Sequence, residues 1–273
     1  VSPLWRDEVG VYLAPHRLYL VRLKRGTRPH PLAEHEQCFE RSAEQPWRGP
    51  LEALAALLGQ APWGGACTRI VFGDHWARYA IVPWAAALRS AEERLAHGRQ
   101  LLSSLYGDAV ASWDICMSEA PPQAARVACA APSELLAGLR AACVAHGNAL
   151  LSLQPQLIAA YAAWRHCLPP SNAWFVSIED GSLAAAYLGP RGWDRVHGVR
   201  IGSDWIRELK RLQTFGRLVR SDAHEGEVYV DAPHAWRVVA TAAGTEAGLR
   251  WLEEPKEPMN TLQRLGRARR LAA

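Results

Sequence analysis

Residues 173–202 read AWFVSIEDGSLAAAYLGPRGWDRVHGVRIG. Trp174, Val176 and Ile178 alternate with smaller or polar residues, which predicts a half-buried strand. Asp180-Gly181 follows. Asp-Gly between two apolar runs is a strong hairpin signal, because the favoured two-residue turn needs positive φ. Residues 183–188 are the predicted return strand, Gly189-Pro190-Arg191-Gly192 turns the chain again, and residues 193–201 read as a third strand. Ser203 then stands where a cap is wanted for a helix with Ile206, Leu209 and Leu212 on one side. Residues 227–230 read as a fourth strand, and further helix is expected near Ala235 and Thr245. The order is strand, strand, strand, helix, strand, helix.

The same order opens the chain. Residues 9–13 and 18–23 make a predicted hairpin around Ala14-Pro15-His16-Arg17, and residues 34–41 read as a third strand. A helix over 51–58 presents Leu51, Leu54, Leu57 and Leu58, and a strand over 68–72 closes the unit. Two related α/β halves joined by a middle segment form the actin-like architecture, in which hairpin turns from both halves hold a nucleotide's phosphates. That inference is one of fold, and fold alone gives no function.

The 273 residues suit one large domain or two small ones, and 49% apolar content is enough for a core. A net charge of +4 is mild and points away from a dedicated nucleic-acid binder. Six cysteines at 38, 67, 116, 129, 143 and 167 include no pair at zinc-ribbon or redox spacing. They read as reduced, buried core thiols, which favours the cytoplasm. No apolar run reaches the ~18 residues of a spanning helix, and no signal peptide is visible. The twelve tryptophans are scattered and read as core and interface bulk.

Between the halves, residues 76–84 (WARYAIVPW) are strand-like and end at Pro83. Residues 90–106 read as a helix whose Ser90 and Glu93 form a capping box, with Leu95, Leu102 and Leu105 on its buried side. Strands are expected over 112–117 and 126–131. Ser133 caps a helix carrying Leu135, Leu136, Leu139 and Val144, ended by Gly147. A short strand over 150–153 leads to Pro155, which suits a first helical turn. The helix from there carries Leu157, Ile158, Tyr161 and Trp164 and stops before Pro169-Pro170.

This middle stretch carries a family likeness. Arg78-Tyr79-x-x-Val82-Pro83, a capped helix, Trp113-Asp114, the strand at 127–130 and SELLAGLRAACVAHGNALLSLQPQLIAAYAAWR over 133–165 follow one another in order. The pattern resembles the PilM family of type IV pilus assembly proteins. It is also similar to the cytoplasmic domain of the GspL family of type II secretion and to the MshI-like proteins. The likeness covers roughly residues 9–202. It implies an α/β, actin-like fold of duplicated ribonuclease-H-like halves with a small inserted α/β subdomain. The expected division is 1–75 for the first half, 76–132 for the inserted subdomain, 133–170 for completion of the first half, 171–254 for the second half and 255–273 for a basic tail. The resemblance further implies a scaffold at the cytoplasmic face of the inner membrane, docking a cytoplasmic segment of a membrane partner or the assembly ATPase.

Family members with intact nucleotide sites carry Asp-x-Gly at the end of each half's first strand, followed by small hydroxyl residues. Here Tyr12 stands at the first Asp position and Ala14 at the Gly, and Pro15 removes a backbone donor. In the second half Ser177 replaces the Asp and Glu179 the Gly, and a carboxylate there repels a triphosphate unless a metal intervenes. Shifting the register brings Asp180-Gly181-Ser182 to the phosphates instead. Residues 243–248 (AGTEAG) are the candidate for an adenosine loop. The expectation is an actin-like protein with degenerate loops, no bound cofactor and no metal, acting as a platform. Arg78, Tyr79 and Trp84 are the candidate wall of a docking groove between the first half and the inserted subdomain, because Arg and aromatic side chains make the best anchors. The enzymatic alternative, a divergent ATPase or small-molecule kinase, would use Asp180, Glu179 or Asp204 toward a metal. A self-assembling subunit needs only the fold. The tail's Lys256, Arg264, Arg267, Arg269 and Arg270 suit solvent or peripheral contact with an anionic membrane surface. Ten histidines give no HExxH and no metal spacing, and there is neither a GxSxG elbow nor a Walker A loop.

Overall fold

The structure, a computed structural model, describes residues 6–24, 30–40, 45–179, 181–202, 204–219, 226–234, 236–238 and 248–252. Two compact units divide the chain. The first comprises residues 1–75, 133–163 and 253–272, and the second 76–132, 164–252 and 273. Ser203, Asp180, residues 243–247 and the basic tail lie outside the described residues.

The first unit holds β1 (Glu8–Ala14), β2 (Arg17–Lys24), β3 (His30–Cys38), α1 (Arg48–Leu58), β4 (Cys67–Phe72), α3 (Ser133–Ala145) and β8 (Ala149–Pro155), and most of α4 (Gln156–Trp164). Its sheet runs β3-β2-β1-β4-β8. The first three strands pair antiparallel, and β4 and β8 join parallel to β1. Parallel neighbours need crossovers, and α1 and α3 pack together beside this sheet as that requires. At β1 every residue is buried, as expected of a central strand covered on both faces.

The second unit holds β9 (Ala173–Glu179), β10 (Ser182–Gly189), β11 (Gly192–Arg200), α5 (Trp205–Val219), β12 (Glu227–Asp231) and β13 (Leu249–Trp251). Its sheet runs β11-β10-β9-β12-β13, with the same directions. Counting strands from the start of each half, both orders are 3-2-1-4-5, which is the expected duplication. One face of this sheet, Trp174, Val176, Ile178, Leu183, Ala185, Val228 and Val230, packs on Trp205, Leu209 and Leu212 of α5. The strand over 173–179 was expected to be half-buried. It is buried throughout, because as the central strand both its faces are covered.

A three-stranded antiparallel sheet, β5 (Arg78–Val82), β7 (Arg126–Pro132) and β6 (Trp113–Met117) in that spatial order, carries α2 (Ala91–Tyr106) and a 3-10 turn (Gly107–Ser112). Its β5 lies against β11. The capping box forms as read. Ser90 Oγ accepts from Glu93 N–H at 3.0 Å, and Glu93 accepts from Ser90 N–H at 2.9 Å and Arg89 N–H at 2.7 Å. Those donors hold the Glu93 carboxyl below its usual range.

The buried side of α2 differs from expectation. Leu102 is fully buried, but Leu95 and Leu105 are exposed, Leu105 by 63%. Gly98 takes the inward place instead, close to Met117, Val82 and Ala128. The helix comes so near the sheet that a leucine at that point has no room. Val144 of α3 is likewise exposed. Pro155 ends β8 and immediately precedes α4.

None of the six cysteines forms a disulfide, and the buried-thiol reading holds for Cys67 and Cys143 only. Cys38, Cys116 and Cys167 are exposed. Cys38 lies on an edge strand and Cys116 on the outward face of another, positions that apolar neighbours in sequence do not reveal. Burial pushes the Cys143 thiol up to about 11. A thiol-reactive reagent at pH 8 should therefore label positions 38, 116 and 167 rapidly and Cys143 only on unfolding. Rapid labelling of Cys143 in the native state would contradict its placement.

Candidate functional site

The two hairpins stand at the same point of two sheets of one strand order. In the first, Ala14 pairs with Arg17, leaving Pro15-His16 as the turn; in the second, Glu179 pairs with Ser182 around positions 180 and 181. Tyr12 and Ser177 thus occupy matching positions, two residues before the last paired residue. Gly181 adopts φ +80°, while neither Pro15 nor His16 has positive φ. The ring of Pro15 fixes φ negative, so this turn is of a different kind from the Asp-Gly turn.

Tyr12 is buried in a small cluster with Ala14, Tyr19, Val21, Leu23, Val71 and Ala159. An aromatic ring packed into the core thus stands at the position where the resemblance led us to look for a carboxylate. Burial, then the nearby Glu34, raises the pKa of the neighbouring Tyr19. His16 C=O accepts from Phe39 N–H at 2.8 Å, and its ring meets that of His75 edge-on at 6.1 Å. Asp74, two residues past β4, accepts from Leu157 N–H at 3.2 Å. It caps the start of α4, where orphan amides and the helix dipole favour an anion. Pro15 contributes no N–H, and no acid stands at Tyr12. At positions 12 and 15 the turn offers a metal-bound phosphate neither a carboxylate nor an amide.

The second hairpin has a different chemistry. Ser177 and Glu179 are both about 1% exposed and lie on one face of β9. Ser177 pairs in parallel register with Asp231 at the end of β12, also 1% exposed. Two buried carboxylates therefore share a face at the ends of adjacent strands. Asp231 was not singled out in the sequence. Its signal was there, as an acid at the end of the predicted strand over 227–230, but only the strand register places it beside Ser177. Among the described residues no group of three or more His, Cys, Asp or Glu could hold a metal ion. Asp204, the remaining carboxylate of the enzymatic alternative, is half-exposed before α5. It accepts from Arg207 N–H at 3.4 Å and pairs with the Arg207 guanidinium at 3.3 Å, as a helix cap does.

The three docking candidates lie in or beside β5. Arg78 donates to Ala77 C=O at 2.7 Å and its guanidinium stands 5.9 Å from the Tyr106 ring centre. Tyr79 is buried at 3% exposure, opposite Cys129 of β7. Trp84 is 53% exposed, just past β5. The strand pleat separates Arg78 from Tyr79, since neighbours in a strand point to opposite faces.

Two sheets of one 3-2-1-4-5 order, each opened by a hairpin, and a small three-stranded sheet inserted before the return to the first half make the chain a protein of actin-like fold. Comparison with solved structures agrees. The cytoplasmic domain of EpsL, an inner membrane component of the type II secretion system of Vibrio cholerae, superposes with a TM-score of 0.57 at 11% identity, covering 96% of this chain and 94% of that one. The PilM-PilN type IV pilus biogenesis complex gives 0.60 at 14% identity, covering 95% and 94%. A protein of actin-like ATPase fold and unknown function from Bacteroides thetaiotaomicron gives 0.61 at 8%, covering 96% and 95%. No family model matches the sequence, and no curated protein matches it. At these identities the likeness is one of fold.

Proposed function

We propose that the chain is a non-catalytic platform of a type IV pilus or type II secretion inner-membrane assembly. It works at the cytoplasmic face of the inner membrane and docks a cytoplasmic segment of a membrane partner. The carrying observation is the first hairpin, where Tyr12 is built into the core and Pro15 carries no amide donor. The likeness to the EpsL domain and to the PilM-PilN complex supports the same reading. The assembly ATPase is a further candidate partner, and self-association and peripheral membrane contact through the basic tail are compatible with it. Among the described residues no helix is long and apolar enough to cross a membrane.

The test is titration of the full chain with synthetic cytoplasmic segments of inner-membrane pilus and secretion proteins from the same source. Saturable binding is expected; none at high micromolar concentration would contradict the reading.

The buried pair Glu179 and Asp231 favours a second reading, a divergent ATPase or kinase that holds its metal from the second half alone. Loss of Mg-ATP stabilisation in Glu179→Gln and Asp231→Asn would be its signature.

A further inference from the structure

We propose that the three-stranded subdomain carries a docking groove for an acidic peptide anchored by one large apolar side chain. The groove lies between the segment leaving β5 and the turn entering β7. Its walls are Pro83, Trp84 and Leu88 on one side and Pro121, Pro122 and Ala124 on the other. The cavity is about 190 Å³. That is below the roughly 300 Å³ at which small-molecule sites begin, and it is room for one leucine- or phenylalanine-sized side chain.

The walls are rigid. Three prolines fix the backbone. The entering turn is closed by Ala124 N–H donating to Pro121 C=O at 3.2 Å, and Gln123 holds φ +62°, which non-glycine residues rarely adopt. The other wall turns at Leu88 N–H to Ala85 C=O, 3.1 Å. A groove already shaped loses little entropy when it is filled. Trp84, half exposed, is the kind of amphipathic surface that recurs at peptide-binding sites.

Charge chooses the occupant. Arg94 and Arg126 line the groove, and no carboxylate does. Main-chain carbonyls hold both guanidiniums. Arg94 reaches Leu88 and Arg89 C=O at 3.2 and 3.0 Å, and Arg126 reaches Ser118 C=O at 3.0 Å and Ala120 C=O at 3.5 Å. These carbonyls orient each group, and each keeps further donors in its fork. Glu93, the acid next to Arg94, gives its Oε2 to the two amides of the capping box and feels the Arg94 charge, so Arg126 is the second anchor for an incoming acid. A carboxylate one or two residues from the apolar anchor completes the site. Basic and neutral peptides lack that partner.

The assignment rests on the platform reading, since it names the chemistry of a docked segment. The test is selection of a random peptide library displayed on phage against the full chain, followed by anisotropy titration of the selected peptides. Enriched peptides should carry one bulky apolar residue with Asp or Glu within two positions. Trp84→Ala and Arg94→Glu should each weaken their binding by at least about tenfold, which is 1.4 kcal/mol, with cooperative thermal unfolding retained in both and the melting temperature unchanged in Trp84→Ala. Replacing the peptide's acids by lysine should abolish binding. Selection without acid enrichment, or binding that survives both substitutions, overturns the groove. If membrane-partner segments bind equally to wild type and Trp84→Ala, the platform reading stands and the groove falls. If acidic peptides bind the groove but no partner segment binds anywhere, the reverse holds.

Discussion

Gly226→Ala is expected to lower the midpoint of thermal unfolding by roughly 6–12 °C. Gly226 leads into β12 beside Asn172, which leads into β9, and Glu227 and Ala173 are the first parallel pair of those strands. A Cβ on Gly226 would meet the Asn172 carbonyl oxygen, with the carbonyl carbon at 2.8 Å and Ala173 N at 3.1 Å. These are backbone atoms and cannot swing aside. Asn172 is itself held, with φ at +59°, its N–H donating to Leu188 C=O at 2.6 Å and its Oδ1 accepting from the Tyr187 hydroxyl at 3.3 Å. Relief therefore requires β9 and β12 to part at their shared start. We assign a cost of about 3 kcal/mol, in the range of overpacked and strained sites, and for a chain of this size each kcal/mol is worth about 2–4 °C. Gly198→Ala is the control. Nothing lies within 4 Å of its added Cβ, so its melting temperature should stay within about 2 °C of wild type. Equal effects at the two positions would contradict the close approach at Gly226.

Asn148→Ala should cost a similar amount in the first unit, about 3 kcal/mol. The Asn148 side chain is buried and bonds three ways. Its Nδ2 donates to Trp63 C=O at 3.0 Å and to Thr68 Oγ1 at 2.9 Å, and its Oδ1 accepts from Gly65 N–H at 3.1 Å. It thereby ties the loop before β4 to the residue preceding β8. Gly65 N–H also reaches His146 C=O at 3.2 Å and keeps that partner. The Trp63 carbonyl and the Thr68 hydroxyl lose theirs, and each orphaned buried group costs about 1–3 kcal/mol. Urea denaturation should show a lower midpoint at unchanged slope. Thr68→Val, which removes one of the three bonds, should cost about 1 kcal/mol, and the double variant less than the sum because the two share a bond. Full additivity would mean that the bond between Asn148 and Thr68 contributes nothing.

The parts of the fold legible in the sequence are those set by local chemistry. The Asp-Gly turn, the Ser90–Glu93 box, the strand that Pro83 stops and the repeated order of elements are each decided within a few residues. The boundaries of β3 were not, being expected over 34–41 and found at His30–Cys38. This edge strand is largely exposed on both faces, so no apolar alternation marks it, and Pro31 is tolerated because an edge needs fewer amide donors. The inward side of α2 was misread for a different reason. A leucine stripe signals burial only if the facing sheet leaves room, and Gly98 shows that it does not. The candidate site divides in the same way. Tyr12, Ala14 and Pro15 belong to one local hairpin and could be read within a few residues. Asp231 needed the pairing of β12 with β9, a contact between segments more than fifty positions apart. The groove beside Trp84 needed two loops to converge, which no spacing in the chain encodes.

Thermal unfolding of the full chain with and without 5 mM Mg-ATP tests most directly the proposal that neither hairpin binds phosphate. A ligand at a hundredfold its dissociation constant stabilises a folded protein by about 2.7 kcal/mol, a shift of roughly 5–10 °C here. A platform without phosphate chemistry should show no shift. A clear shift, abolished by Asp231→Asn, would contradict it and make the second hairpin a working nucleotide site.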